Sequence, residues 1–190
     1  KANGTGVSYY PTVHAATAAA VSGDSVLVGP GIHIATGNLA KHGISIELSS
    51  NTVLRNSGTG AMFTDAGAAM EFRLGGWGAI NYSGEGALFE ISHASSNFNV
   101  RARRVDYRGQ GVGPPGCVNH LNGTWRGFFD EMYVGASGIS GSVNDPITAL
   151  YWEKGPHNTY CRTISNHGYT IWVVAPGTTL AETNGEMFVE

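Results

Sequence analysis

Tyr9-Tyr10-Pro11-Thr12-Val13-His14-Ala15-Ala16-Thr17-Ala18-Ala19-Ala20-Val21-Ser22-Gly23-Asp24-Ser25-Val26-Leu27-Val28-Gly29-Pro30-Gly31-Ile32-His33 reads as a helix, a turn, a buried strand and a corner. Pro11 suits the first helical position, where its missing N–H costs nothing and its φ is already helical. Val13, Ala16, Ala20 and Val21 recur at helical spacing. Five alanines between Pro11 and Val21 favour a helix of about three turns. Its apolar stripe is narrow and small-sided, so it can lie close against a flat partner. Gly23 ends the helix and Asp24 turns the chain. Ser25 to Val28 is a short apolar β-rich run, and Gly29-Pro30-Gly31 cannot continue it. Extended structure resumes from Ile32 to Ala35. An αβ unit of a doubly wound sheet opens in the same way, but no second helix–strand alternation follows here. The stretch therefore predicts a lid followed by the first coil of a β-solenoid.

Tyr10, Thr12, Val13, Ala16, Gly23, Asp24, Ser25, Val26, Val28, Pro30, Gly31 and, loosely, His33 carry a resemblance. This pattern resembles the start of pectate-lyase-like right-handed parallel β-helices, a family that includes bacteriophage tailspikes. Val13 stands where that family has Ile, and His14 where it has Gln. The resemblance implies a fold and says little about activity, because the family spans polysaccharide lyases, glycoside hydrolases, tailspikes and non-catalytic surface proteins.

Composition agrees with many short strands joined by tight corners. Glycine accounts for 28 of 190 residues, and only 13% are charged, against a usual quarter. Apolar residues, 42% of the chain, are spread along its length, which argues against disorder. The net charge of −3 gives no basis for a nucleic-acid partner. No apolar run approaches a membrane span. There is no initiator Met and no signal peptide, so the chain reads as a processed product or the ordered part of something longer. Cys117 and Cys161 stand far apart; they can pair, or remain buried thiols inside a coil. Asn3, Asn81 and Asn122 open tripeptides that fit the glycosylation sequon.

Two degenerate phrases recur. Gly60-Ala61-Met62-Phe63, Gly86-Ala87-Leu88-Phe89, Gly116-Cys117-Val118-Asn119 and Thr148-Ala149-Leu150-Tyr151 follow one another at steps of 26, 30 and 32 residues. Gly78-Ala79-Ile80-Asn81-Tyr82, Arg104-Val105-Asp106-Tyr107 and Glu131-Met132-Tyr133-Val134 form the second set. Such self-similarity is the mark of stacked coils, each satisfying the backbone groups of the next, and about five to seven coils fit this length. The expectation is an all-β right-handed parallel β-helix, with residues 1–190 as one domain. Residues 1–22 form its N-terminal cap. Residues 171–190, with the apolar run from Trp172, form a C-terminal cap or a subunit contact.

Glycan hydrolysis needs two carboxyl groups about 5–9.5 Å apart. If the second set of phrases stacks, Asp106 lies near Asp130 or Glu131, making these three the catalytic candidates. Adjacent residues on a strand point to opposite faces, so only one of Asp130 and Glu131 can join a given cleft. Glu71, Glu90 and Glu153 are further acids. No Asp-x-Asp or Asp-Asp occurs, so a calcium platform is not expected. The seven histidines are scattered and read as satisfied polar residues. Gly135-Ala136-Ser137-Gly138 lacks the spacing of a nucleophile elbow. Neither a metal nor a cofactor is expected.

Arg101, Arg103, Arg104 and Arg108 form the main charged cluster. It is either a grip for an acidic sugar or a neighbouring subunit's carboxylates, or a solvated outer face. Trp77 in Leu74-Gly75-Gly76-Trp77-Gly78, Trp125 after the Asn122-Gly123 turn, and Trp152 beside Tyr151 offer aromatic surface for a glycan or partner. Trp77, Arg101, Arg103, Trp125 and Trp152 are thus the candidate binding residues. The resemblance, joined to small size and low charge, implies a non-catalytic structural or receptor- or glycan-binding protein of a bacteriophage particle. It implies a homotrimer, contacts with other virion proteins, a cell-surface polysaccharide as ligand, and a virion or extracellular location. The competing expectations are a polysaccharide depolymerase and a secreted microbial adhesin of the same fold.

Overall fold

The computed structural model describes residues 7–56, 58–108, 116–135, 148–166, 171–173 and 185–189. It is mostly strand, with one short helix and parallel sheets. The helix α1 (Val13–Ala19) begins later than the sequence predicts. Thr12 takes the N-cap position and its hydroxyl accepts the Ala15 N–H at 3.1 Å. Pro11 therefore lies outside the helix, because the capping hydroxyl satisfies an otherwise orphaned N–H. Val13, Thr17 and Ala20 are buried, whereas Val21 is exposed. Lys41 closes the other end, its Nζ donating to the carbonyls of Thr17, Ala18 and Ala20. A cation there also meets the negative end of the short helix.

α1 packs against β1 (Ser25–Val28), the first strand of a long parallel ladder. That ladder continues through β3 (Ile44–Leu48), β6 (Glu71–Gly76), β9 (Asn97–Tyr107), β11 (Thr124–Val134), β13 (His157–Asn166) and β15 (Gly185–Val189). A second run joins β2 (Gly31–Ile34), β4 (Thr52–Asn56) and β7 (Ala79–Tyr82) to the later half of β9. A separate sheet orders β5 (Phe63–Thr64), β8 (Phe89–Ile91), β10 (Gly116–His120), β12 (Thr148–Trp152) and β14 (Ile171–Val173). Every named pair is parallel, and the chain visits the ladders in the same order again and again. β14 and β15 add to the two ladders, so this much of residues 171–190 extends the sheets; the rest of that predicted cap lies outside the described residues.

The second set of phrases stacks as the sequence predicts: Ile80 pairs Val105, Val105 pairs Met132, and Tyr82 pairs Tyr107. The first set slips by one residue at one step. Phe89 pairs Val118 rather than Asn119, while Phe63–Phe89 and Val118–Leu150 follow the phrase. A one-residue slip exchanges faces, and here it keeps the apolar Val118 inside while Asn119 stands opposite Glu90.

The core is built of side-chain stacks. Phe63 and Phe89 stack at 5.1 Å, Phe72 and Phe98 approach to 5.3 Å, and Tyr82 and Tyr107 stack nearly parallel at 5.5 Å. The two tyrosines turn their hydroxyls to the backbone, Tyr82 to Gly60 and Glu85, Tyr107 to Gly86. Burial pushes the Tyr82 hydroxyl up to about 12, so it remains a donor. Asp65 is buried too. Its carboxylate accepts from the Gly67, Ser92 and His93 amides and the Ser92 hydroxyl. Burial alone would raise its pKa; these hydrogen bonds hold it below the ordinary value.

The long strands bend once. Inward and outward residues alternate along β9 until Arg103 and Arg104, which are both exposed; alternation then resumes with Val105 inside. β11 breaks the same way at Asp130-Glu131, as does β13 at Arg162-Thr163. Asp130 and Glu131 therefore do not point to opposite faces as expected, because a corner lies between them. In the preceding strands of the ladder this corner is the gap between β6 and β7, occupied by Trp77 and Gly78. Gly76 has φ +94°, and a Cβ there would lie 2.0 Å from the Leu48 carbonyl oxygen. The corner thus presses against the end of β3, which leaves Trp77 outside.

Candidate functional site

The same corner brings a cation and aromatic rings together. Trp77 is 44% exposed, and the guanidinium of Arg101 lies 4.3 Å from its ring centre. On its other side Arg101 meets the Phe128 ring at 5.1 Å. Phe128 is the register partner of Arg101 and stacks on Tyr160 of the next strand, at 4.8 Å and 8° between planes. Two residues along each strand, Asn99, Arg126 and Asn158 form a parallel column in register. The two columns line an open groove of about 390 Å³ across the outer face of β9, β11 and β13.

Local sequence explains the placement. In β9 and β11, Val100 and Phe129 take inward positions, so Arg101 and Phe128 face out. Between Trp125 and Phe129, Gly127 lies inward, where a Cβ would come within 2.8 Å of the Trp125 ring. Phe128, Tyr160, Asn99, Arg126 and Asn158 escaped the sequence reading. Their signal was present: the Arg104–Glu131 alignment of the second set of phrases, extended back by three residues, sets Arg101 against Phe128.

Of the residues predicted to bind, Trp77 and Arg101 meet here. Arg103 sits on the adjoining corner, exposed. Trp125 does not belong to the surface. It is fully buried, in register with Phe98 and His157, and its Nε1 donates to the Thr159 hydroxyl at 2.9 Å. The interior accommodates the indole tilted against Phe89, with ring centres 5.1 Å apart. Trp152 also turns inward, in register with the buried His120, and its Nε1 donates to the Gly155 carbonyl. Tyr151 is the outward member of that pair and donates to Glu153.

The three carboxylates proposed for catalysis fall on the neighbouring strands β9 and β11. Asp106 is in register with Tyr133, and Arg104 with Glu131, so Asp106 and Glu131 are offset by two residues along neighbouring strands. Arg108 donates its Nε–H to Asp106 at 3.0 Å, and Arg104 lies 3.7 Å from Glu131. Asp130 lies on the corner between Phe129 and Glu131. Each of the two mapped carboxylates thus faces an arginine rather than another acid.

A second cluster lies inside. His120 and His157 are buried one above the other, with ring centres 5.6 Å apart. His120 Nε2 bonds the Gly123 carbonyl, and His157 Nε2 shares a hydrogen bond with Thr159. Both Nδ1 atoms lack a partner, contrary to the expectation of satisfied histidines. Burial pulls His120 down to about 4; burial and the neighbouring His120 pull His157 down to about 3. Cys117 and Cys161 are free and buried, and burial raises both thiols. Among the described residues, no three His, Cys, Asp or Glu side chains converge on a metal position, and no helix is long and apolar enough to cross a membrane. Residues 136–138 and His167 lie outside the described residues.

No protein-family model matches the sequence, and searches of curated proteins and solved structures likewise give no match.

Proposed function

We propose that the chain is a right-handed parallel β-helix that holds a glycan on its outer face without cleaving it, as a receptor-binding or structural component of a bacteriophage particle. The supporting observation is the Arg101–Phe128–Tyr160 surface, where flat rings and hydrogen-bond donors share one open groove, with Trp77 against Arg101 at its edge. Aromatic faces pack against the C–H faces of sugars, while amides and guanidinium groups answer their hydroxyls. The repeated visiting order of the parallel ladders supports the coil, and α1 beside β1 acts as its lid. The particle assignment rests on the resemblance of the opening segment. A homotrimer, in contact with other virion proteins, follows from the same analogy.

The arginines beside Asp106 and Glu131 favour binding over hydrolysis, because each carboxylate is engaged by a cation on its own or the neighbouring strand rather than set against a second acid across a bond. The test is a microbial-glycan array read for binding, with the bound glycans then incubated and sized. Binding that weakens in Trp77→Ala and Phe128→Ala, with no shortening of the glycan, is the expected result. Shortening that disappears in Asp106→Asn or Asp130→Asn would replace this reading with a depolymerase. Light scattering at micromolar concentration tests the trimer, and a monomer there would remove the spike analogy.

A further inference from the structure

We propose that the groove across β9, β11 and β13 takes a glycan bearing carboxylate groups, of the uronic-acid type, and that Arg101 holds the carboxylate. This rests on the glycan-binding reading above and narrows its ligand. Three arginines stand beside a carboxylate: Arg73 lies 3.8 Å from Glu47, Arg104 lies 3.7 Å from Glu131, and Arg108 bonds Asp106 at 3.0 Å. Arg101 stands instead between aromatic rings, its guanidinium carbon 4.3 Å from the Trp77 ring centre and 5.1 Å from that of Phe128. Among the described residues it has no carboxylate partner.

A guanidinium packed against aromatic rings keeps N–H donors available at its edge and is held in place by packing, so less freedom is lost when a planar bidentate acceptor arrives. Arg126 adds a second cation without a carboxylate partner among the described residues, one strand on and two residues back, between Asn99 and Asn158 in register. Among the described residues, no acidic side chain lines the groove. Glu186, in register with Asn158, is the next residue of that column and ends its run of cations and amides. A neutral sugar would leave Arg101 and Arg126 uncompensated, whereas a carboxylate on the chain answers them. The cations alternate with amides and rings rather than forming a continuous basic stripe, and the whole chain carries a net charge of −3, which disfavours a nucleic-acid strand.

The experiment measures affinity of the full chain for oligogalacturonate, alginate and glucuronan oligosaccharides, each beside its carboxyl-reduced form. Neutral microbial glycans and a single-stranded DNA of equal charge complete the set. At least one uronate chain should bind roughly tenfold tighter than its reduced form, and Arg101→Gln should lose about that factor. Arg126→Gln should weaken the same ligand, so the outcome does not depend on one variant folding. Arg55→Gln, which removes the same charge from the exposed side of β4, should leave affinity unchanged. Equal binding of carboxylated and reduced chains would overturn this inference and leave the glycan reading standing. Failure to bind any glycan would overturn both. Equally tight DNA binding would mean generic polyanion attraction and would overturn the carboxylate assignment.

Discussion

From β3 to β9 the inward columns are aliphatic and aromatic, with Ile46, Leu74 and Val100 in one and Phe72 and Phe98 in another. Two strands later the same columns carry Thr159 and His157, and the neighbouring sheet contributes His120 and Cys117. The backbone ladders are alike in both regions, parallel and in register. Stacking of strands therefore does not require a wholly apolar interior. The early columns rest on burial of apolar surface. The late columns add buried histidines, and with them a dependence on protonation near neutral pH.

Acid should separate the two regions most sharply. His120 and His157 are held neutral by burial, at about 4 and about 3 against an ordinary 6.5. Below pH 6.5 the unfolded chain takes up protons that the folded chain refuses, so stability falls as pH falls, until the folded values are reached. Taking the pair from pH 7 to pH 4 should remove on the order of 4–6 kcal/mol, read by urea denaturation. Asp65, with its pKa lowered, loses its contribution only below the ordinary carboxylate range, which leaves this window to the histidines. His157→Gln should flatten the slope substantially. An unchanged slope in that variant would place the acid sensitivity elsewhere and dissolve the contrast.

Between pH 7 and pH 5 the early columns should respond to volume and not to pH. Phe89 is fully buried, stacked on Phe63 and tilted against Trp125. Phe89→Ala should cost about 3–5 kcal/mol at neutral pH, and the slope between pH 7 and pH 5 should match that of the parent chain. A steeper slope would show that the aromatic stack and the histidine pair share one cooperative unit, and the two interiors would then have to be treated as one.

Sequence carried the architecture further than the site. The second set of phrases was legible to the residue, because Ile80, Val105 and Met132 share an inward column that tolerates little else. Asn119 broke the first set: a phrase comparison aligns it with Phe89, whereas packing prefers to slip the register and bury Val118. Trp77 was readable from its glycines, since a corner pressed on the Leu48 carbonyl leaves an indole nowhere but outside. Trp125 was misread because a lone turn signal says nothing about which face its strand then takes. The corner at Asp130-Glu131 was invisible for a related reason. Two adjacent polar residues look like ordinary alternation plus one exception, and only neighbouring strands bending at the same place reveal a corner.

Thr159 offers a finer test of the late interior. Its hydroxyl accepts from Trp125 Nε1 and shares a hydrogen bond with His157 Nε2, both at 2.9 Å. Thr159→Val keeps the shape and strands two buried polar atoms, which should cost about 1–3 kcal/mol. Thr159→Ser keeps the hydroxyl and should recover most of that loss. If valine were neutral, the late columns would be as indifferent to polarity as the early ones, and the hydrogen-bond account of Thr159 would fail.

The outer face of the sheets should matter least to stability, and the corner provides the measurement. Arg104 and Glu131 are 3.7 Å apart with side chains 48% and 60% exposed, so water screens the pair and their long side chains lose freedom in forming it. Glu131→Gln should change stability by no more than about 0.5 kcal/mol, with any effect shrinking in salt. Arg103, Asp130 and Arg162 occupy the neighbouring corner positions on the adjacent strands β9, β11 and β13, so charges of alternating sign stand beside this pair. A loss well above 1 kcal/mol in Glu131→Gln would mean that these corner charges act as a coupled network rather than as isolated pairs. Stability would then be shared between the interior and the outer corner, and the same corner that positions Trp77 beside Arg101 would be rigid for electrostatic as well as steric reasons.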